Sequence, residues 1–140
     1  MQRKGSAVWK GGLKDGNGQV STGSGGLNAA PYTFASRFES GGKTDPEELI
    51  AAAHAACFSM ALSGQLGAAN LKADSIATTA TVTLDKTDAG MTVTAVHLAM
   101  KAKVPGADRA AFDKAANNAK AGCPISRLLN TKITMEAVLE

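Results

Sequence analysis

Between residues 74 and 104 apolar and polar positions alternate with period two, the signature of strands that keep one face in a core. Ile76, Thr78, Ala80, Val82 and Leu84 share one face of the first run. Val96, Leu98, Met100, Ala102 and Val104 share one face of the second, with His97, Ala99, Lys101 and Lys103 opposite. Thr87-Asp88-Ala89-Gly90 between them reads as a turn, so the two strands pair antiparallel, and Pro105-Gly106 ends the second. Residues 3–40 read as shorter strands broken by glycine turns, with Asp15-Gly16-Asn17-Gly18 as a hairpin signal and Ser24-Gly25-Gly26 as another turn. The alternation carries on through residues 31–39, placing Phe34, Ser36 and Phe38 on one strand face and Ala35, Arg37 and Glu39 on the other. The chain finishes as a strand with Ile133, Met135, Ala137 and Leu139 on one face.

Elsewhere the period becomes helical. Gly41-Gly42-Lys43-Thr44 leads into a marked helix start: Asp45 as N-cap, Pro46 at the first position, and Glu48 three residues after Asp45 as a capping-box partner. The helix is predicted from Pro46 to about Gln65, with Gly67 near its end. It is apolar nearly all round after its first turn, which predicts burial on most sides. A second helix is predicted from Asp108, with Phe112, Ala115, Ala116 and Ala119 at helical spacing and Gly122 at its end. Cys123-Pro124 opens a short third helix that reaches Leu129. The elements add up to one α+β domain over residues 1–140.

Composition adds one expectation. Of the 140 residues 44% are hydrophobic, but 27 are alanine and 15 more are glycine. A core built from such small side chains favours completion by a second subunit. The net charge of +3 comes from dispersed Lys and Arg, and aromatics are 4%, so no clustered footprint for nucleic acid is present. The glycines match neither a phosphate loop nor a dinucleotide fingerprint. The apolar run Leu49–Leu62 contains His54 and Ser59 and is too short to span a bilayer. The N-terminus has no apolar secretory core, which leaves the cytosol as the expected compartment. Two cysteines in a reducing compartment read as catalytic, redox-active or simply buried.

Each candidate residue has a plain reading beside a chemical one. Cys57, mid-helix in an apolar run, is either a small buried hydrophobe or a reactive thiol. Cys123 sits at a helix N-terminus, where free N–H groups favour a thiolate, or is a capping or buried contact. Arg37 is an exposed partner of Glu39 or a functional cation. Glu47 is favourable at a helix N-terminus without any further role, and Glu48 serves the cap. His54 reads as a hydrogen-bonded core histidine, and His97, on a wet face, is given no role.

Taken together, TDPEELIAAAHAACFSMAL, AGCPIS and the upstream YTFASRFE resemble the OsmC/Ohr family of osmotically inducible and organic hydroperoxide resistance proteins. The resemblance covers essentially the whole chain, and VSTGSGGLNAAPYTFASRFE and LDKTDAGMTVT are similar to its OsmC branch. It implies an OsmC-like α+β fold, mainly antiparallel sheets around a long buried central helix, in an intertwined homodimer. Cys57 matches the family's peroxidatic cysteine and Cys123 its resolving cysteine, while Arg37 and Glu47 match the arginine and glutamate of its active site. The implied activity is reduction of organic hydroperoxides in oxidative and osmotic stress, through a sulfenic acid and an intramolecular disulfide. The implied partners are a peroxide and a dithiol reductant of the kind a lipoylated protein carries, with no cofactor, metal, nucleic acid or membrane.

Spacing supports the dimer. Ten residues along one helix separate Glu47 from Cys57 by about 15 Å at 1.5 Å per residue, so Glu47 reaches a second copy's Cys57 only if two such helices cross antiparallel. A nearby arginine would favour the Cys57 thiolate against burial. Phe58, Met60 and Leu62 around Cys57 point to organic hydroperoxides over hydrogen peroxide. The rival readings are a metal site drawn from His54, Cys57, Cys123 and His97, and a small-molecule-binding stress protein with inert cysteines.

Overall fold

The computed structural model describes residues 1–39 and 42–140, so Gly41 of the glycine lead-in lies outside the described residues. The chain divides into two compact units, residues 1–49 and 50–140.

The first unit is an antiparallel meander of β1 (Gly5–Lys10), β2 (Asn17–Thr22) and β3 (Ala30–Tyr32). The first reversal is longer than the Asp15–Gly18 signal implied, because Asn17 and Gly18 already pair with Lys10 and Trp9. Residues 11–16 make the turn instead: Gly11 takes a left-handed φ of 90°, and the Gly16 N–H closes on the Gly12 carbonyl at 2.9 Å. Gly18 is needed for packing. Its cross-strand neighbours Trp9 and Tyr32 bring their rings to 5.4 Å, and a Cβ on Gly18 would lie 2.5 Å from the Tyr32 ring.

Residues 34–38 correct the sequence reading. They form a helix, α1 (Phe34–Phe38), where alternation predicted a strand. Thr33 Oγ1 accepts from the Ser36 N–H at 3.1 Å, and Ser36 Oγ accepts from the Thr33 N–H at 2.9 Å. This reciprocal cap satisfies two free donors at once and overrides a short alternating pattern. Among the described residues of this unit, no apolar side chain is buried.

The helix α2 (Pro46–Ala68) begins as predicted, with Asp45 Oδ1 accepting from the Glu48 N–H at 2.8 Å. The Glu48 carboxylate, however, accepts from the Thr44 hydroxyl at 2.7 Å rather than closing a full capping box on Asp45. The helix runs past Gln65 and ends in a Schellman motif. The Leu71 N–H bonds the Leu66 carbonyl at 2.9 Å, the Asn70 N–H bonds that of Gly67 at 3.0 Å, and Asn70 is left-handed at φ 58°.

Within the chain α2 does not bury most of its sides. It buries one stripe, His54, Phe58, Leu62 and Leu66, each four residues from the next, and leaves Met60 76% exposed. With 23 residues and a mean hydropathy of 1.4, α2 is also longer than the apolar run Leu49–Leu62 and could by length and composition cross a membrane. Here its stripe packs into a protein core.

In the second unit β4 (Ser75–Thr87) and β5 (Gly90–Lys103) pair antiparallel, with a register shift at Thr83/Leu84. The last strand, β6 (Lys132–Leu139), lies parallel to β5, with Val96 opposite Ile133 and Ala102 opposite Leu139. Parallel pairing needs a crossover, and α3 (Arg109–Gly122) and α4 (Pro124–Leu128) make it. Asp108 caps α3 through the Ala111 N–H at 2.8 Å, as expected from its position.

Phe58, Leu62 and Leu66 of α2, Leu98 and Met100 of β5 and Phe112 of α3 form one buried cluster with the alanines of α3. Burying Phe58 alone stabilises by about 1.5–3 kcal/mol. The architecture is α+β, two three-stranded sheets and a long central helix.

Candidate active site

One residue ends α3 and begins α4. The Cys123 N–H closes on the Ala119 carbonyl at 2.9 Å, its carbonyl accepts from the Arg127 N–H at 3.0 Å, and Pro124 fixes the first position of α4. This corner aims the buried Cys123 side chain at the half-buried Cys57 on α2. The two thiols, 66 positions apart in the chain, lie 2.6 Å apart, Cys123 donating to Cys57. Both are free, and little movement separates them from the 2.05 Å or so of a disulfide.

The N-terminus of α4 begins at Cys123, as the sequence implied, and it also acts on Cys57. The backbone N–H of Ile125 favours the Cys57 thiolate, and Cys123, the N-cap residue of α4, makes no side-chain cap bond. The opposing effects are larger. Burial, then the hydrogen bond from Cys123, push the Cys57 thiol above its ordinary range. No cation is among the groups that shift it.

His54 stands one turn before Cys57. It is fully buried, and its Nε2 lies 2.7 Å from Ser126 Oγ of α4. Its Nδ1 has no partner among the described residues. An unpaired acceptor costs less than an unpaired N–H, so Nε2–H donates to Ser126 and Nδ1 carries no proton. Burial lowers the pKa of His54 and holds the ring neutral. This is the hydrogen-bonded core histidine expected from the sequence, with Ser126 as a partner the sequence did not reveal. His97 is exposed, on the outer face of β5, where its Nδ1 meets Thr134 Oγ1 at 2.7 Å.

The first unit holds a second polar constellation. Arg37 Nε donates to Glu47 Oε2 at 3.0 Å, and Arg37 Nη2 to Glu47 Oε1 at 2.7 Å. The strand reading had paired Arg37 with Glu39; the turn of α1 points it to Glu47 instead. The hydrogen bond to Glu47 raises the Arg37 pKa further above its ordinary value. The guanidinium stands 5.1 Å over the Phe38 ring. Beside it opens a cavity of about 270 Å³ lined by Trp9, Leu13, Tyr32, Phe34, Phe38 and Arg37. The sequence showed no sign of this cavity, because its aromatics come from three elements. It had instead expected Phe58, Met60 and Leu62 to make apolar surroundings for Cys57. Phe58 and Leu62 face the core and Met60 faces outward, since residues two apart on a helix diverge.

The structure therefore joins Cys57 to Cys123 and Arg37 to Glu47, and adds Ile125 and the His54–Ser126 pair next to the thiols. Similarity to known proteins runs the length of the chain. The family model for OsmC-like proteins matches residues 39–138. The peroxiredoxin OsmC of Escherichia coli (strain K12) is 52% identical over 140 residues, covering 100% of this chain and 98% of that protein. An OsmC-like protein of unknown function from Vibrio cholerae aligns with a TM-score of 0.79 at 16% identity, covering 99% of each chain. An organic hydroperoxide resistance protein OsmC from Legionella pneumophila aligns with a TM-score of 0.70 at 25% identity, covering 96% of each. By the family match and the full-length identity, the chain belongs to the OsmC family.

Proposed function

We propose that this protein is a thiol-dependent peroxidase that reduces organic hydroperoxides to alcohols. The observation that carries the reading is the pair of free thiols, Cys57 and Cys123, at 2.6 Å. The 52% identity to a peroxiredoxin supports it.

The Cys57 thiolate attacks the peroxide oxygen distal to carbon. The O–O bond breaks, an alkoxide leaves and takes a proton to become an alcohol, and Cys57 becomes a sulfenic acid. The Cys123 thiol displaces hydroxide from that sulfenic acid, giving a Cys57–Cys123 disulfide and water. A dithiol then returns two electrons and two protons by exchange and leaves as its own disulfide. A lipoyl-type dithiol on a protein would serve, and a cytosolic setting would keep such a reductant available. These steps call on no metal or prosthetic group.

The thiolate needs a cation. Burial alone raises the Cys57 pKa, and an ordinary thiol near pH 7 is only a few per cent ionised. The Arg37–Glu47 fork of a second copy would supply that cation and stabilise the departing alkoxide. Two observations support a homodimer. The first unit buries no apolar side chain among its described residues, and α2 leaves Met60 and the alanines at 52, 53 and 56 exposed. The cavity beside Arg37 is walled by apolar rings and would hold the organic group of the peroxide.

Consumption of cumene hydroperoxide with a dithiol reductant tests the reading. Wild type should turn over and Cys57→Ser should not. With the reductant left out, Cys123→Ser should consume about one equivalent and stop at the sulfenic acid. Equal turnover by wild type and Cys57→Ser would sink it.

A further inference from the structure

Two contacts cross between the helices that carry the cysteines, one turn apart. Cys57 meets Cys123; His54, three residues before Cys57, meets Ser126, three residues after Cys123. We infer that the His54–Ser126 hydrogen bond is a positioning pair for disulfide formation, holding α4 so that Cys123 reaches Cys57. The inference rests on reading those cysteines as a redox pair.

The helix α4 has little else to fix it. It spans five residues, far below the length at which a helix is stable alone. Its N-cap residue, Cys123, closes no cap bond on the helix N–H groups. Ser126 is its single buried residue, while Leu128 is 74% exposed. The anchor of α4 is thus a polar contact with one allowed direction, not an apolar face that can slide. Its partner is equally constrained: His54 is fully buried, and its neutral ring offers one N–H aimed at Ser126 Oγ. A neutral His54 cannot be the cation that stabilises the thiolate, so its effect on the thiols is through placement. Disulfide closure demands such placement, because sulfur distance and torsion are tightly restricted.

The test equilibrates the full chain in glutathione buffers and measures oxidised Cys57–Cys123 by alkylation and mass spectrometry. In that exchange the protein disulfide takes two electrons and two protons from two glutathiones, leaving two thiols and one glutathione disulfide. Ser126→Ala and His54→Ala should each lower the equilibrium constant for the protein disulfide by about tenfold, the weight of one buried hydrogen bond. Ser126→Thr, which keeps the hydroxyl, and His54→Gln, which keeps an N–H, should restore most of it. In rapid mixing with cumene hydroperoxide, Ser126→Ala should form sulfenic acid within about threefold of the wild-type rate and close the disulfide about tenfold more slowly.

Wild-type equilibrium constants in both alanine variants would overturn the inference. So would an Ser126→Thr protein as impaired as Ser126→Ala, or a loss confined to sulfenic acid formation. The glutathione equilibrium needs no peroxide. If the variants shift as expected while the wild type ignores peroxide, the peroxidase reading fails and the positioning pair stands.

Discussion

Arg37 and Glu47 meet through two parallel hydrogen bonds, Nε to Oε2 at 3.0 Å and Nη2 to Oε1 at 2.7 Å. Two bonds fix the plane of the guanidinium as well as its position. The remaining N–H groups have no partner among the described residues and can meet an anion, which a lysine in the same place could not match. Arg37→Ala should lower kcat/KM for cumene hydroperoxide by about 10²–10³-fold, the usual cost of losing a donor to a developing oxyanion. Arg37→Lys should recover only part of that loss, since it keeps the charge without the fork. Steady-state kinetics check this, and a fully active Arg37→Lys protein would show that the fork is not used.

The ionisation of Cys57 gives a second prediction. The chain's own surroundings push its pKa up, chiefly by burial. A cation brought by a second copy acts the other way. Iodoacetamide alkylation follows the thiolate, so its rate against pH reports the balance. The midpoint for Cys57 should lie higher in Arg37→Ala than in wild type. Coincident profiles would remove Arg37 from the neighbourhood of the thiol.

Much of this architecture was legible in the sequence, for reasons that also explain the misses. The strands β4 and β5 were legible because one face of each is in a core, so Val96, Leu98 and Met100 recur at period two against His97, Ala99 and Lys101. The caps at Asp45 and Asp108 were legible because an N-cap is a local event. The region 34–38 misled because five residues of alternation weigh less than the reciprocal Thr33–Ser36 cap, which does not match the usual acidic capping box. The parallel direction of β6 and the Ser126 partner of His54 were hidden because both depend on where the crossover returns. The cysteine pair came from family resemblance, since no spacing rule joins residues 66 apart.

The exposed side of α2 gives a third prediction. Met60 is 76% exposed, and the exposed positions one turn from it on α2 are small, Ala56, Ser63 and Gly64. Small residues allow close approach of a second helix, and a charge there would be buried without a partner. In the proposed homodimer, Met60→Glu should yield monomer in sedimentation or light scattering and abolish turnover along with it. Unfolding of the monomer need not follow, because Phe58, Leu62 and Leu66 point into the chain's own core. A Met60→Glu dimer of wild-type stability would place the interface elsewhere.

His54 gives a prediction about acid. Its pKa is lowered in the folded chain because burial disfavours the imidazolium. Below about pH 6.5 the unfolded chain takes up a proton on this residue more readily than the folded one. Stability from keeping His54 neutral is therefore fully present above that value and is lost as pH falls through the folded pKa. Urea unfolding midpoints should drop from pH 7.5 to pH 5 more steeply for wild type than for His54→Gln, which cannot titrate yet can still donate to Ser126. The sign is fixed by the direction of the shift: a residue stabilised as its cation would make acid strengthen the fold. Parallel midpoints for the two proteins across that range would mean that His54 is protonated as easily inside the protein as outside it, and the buried neutral ring bonded to Ser126 would have to be given up.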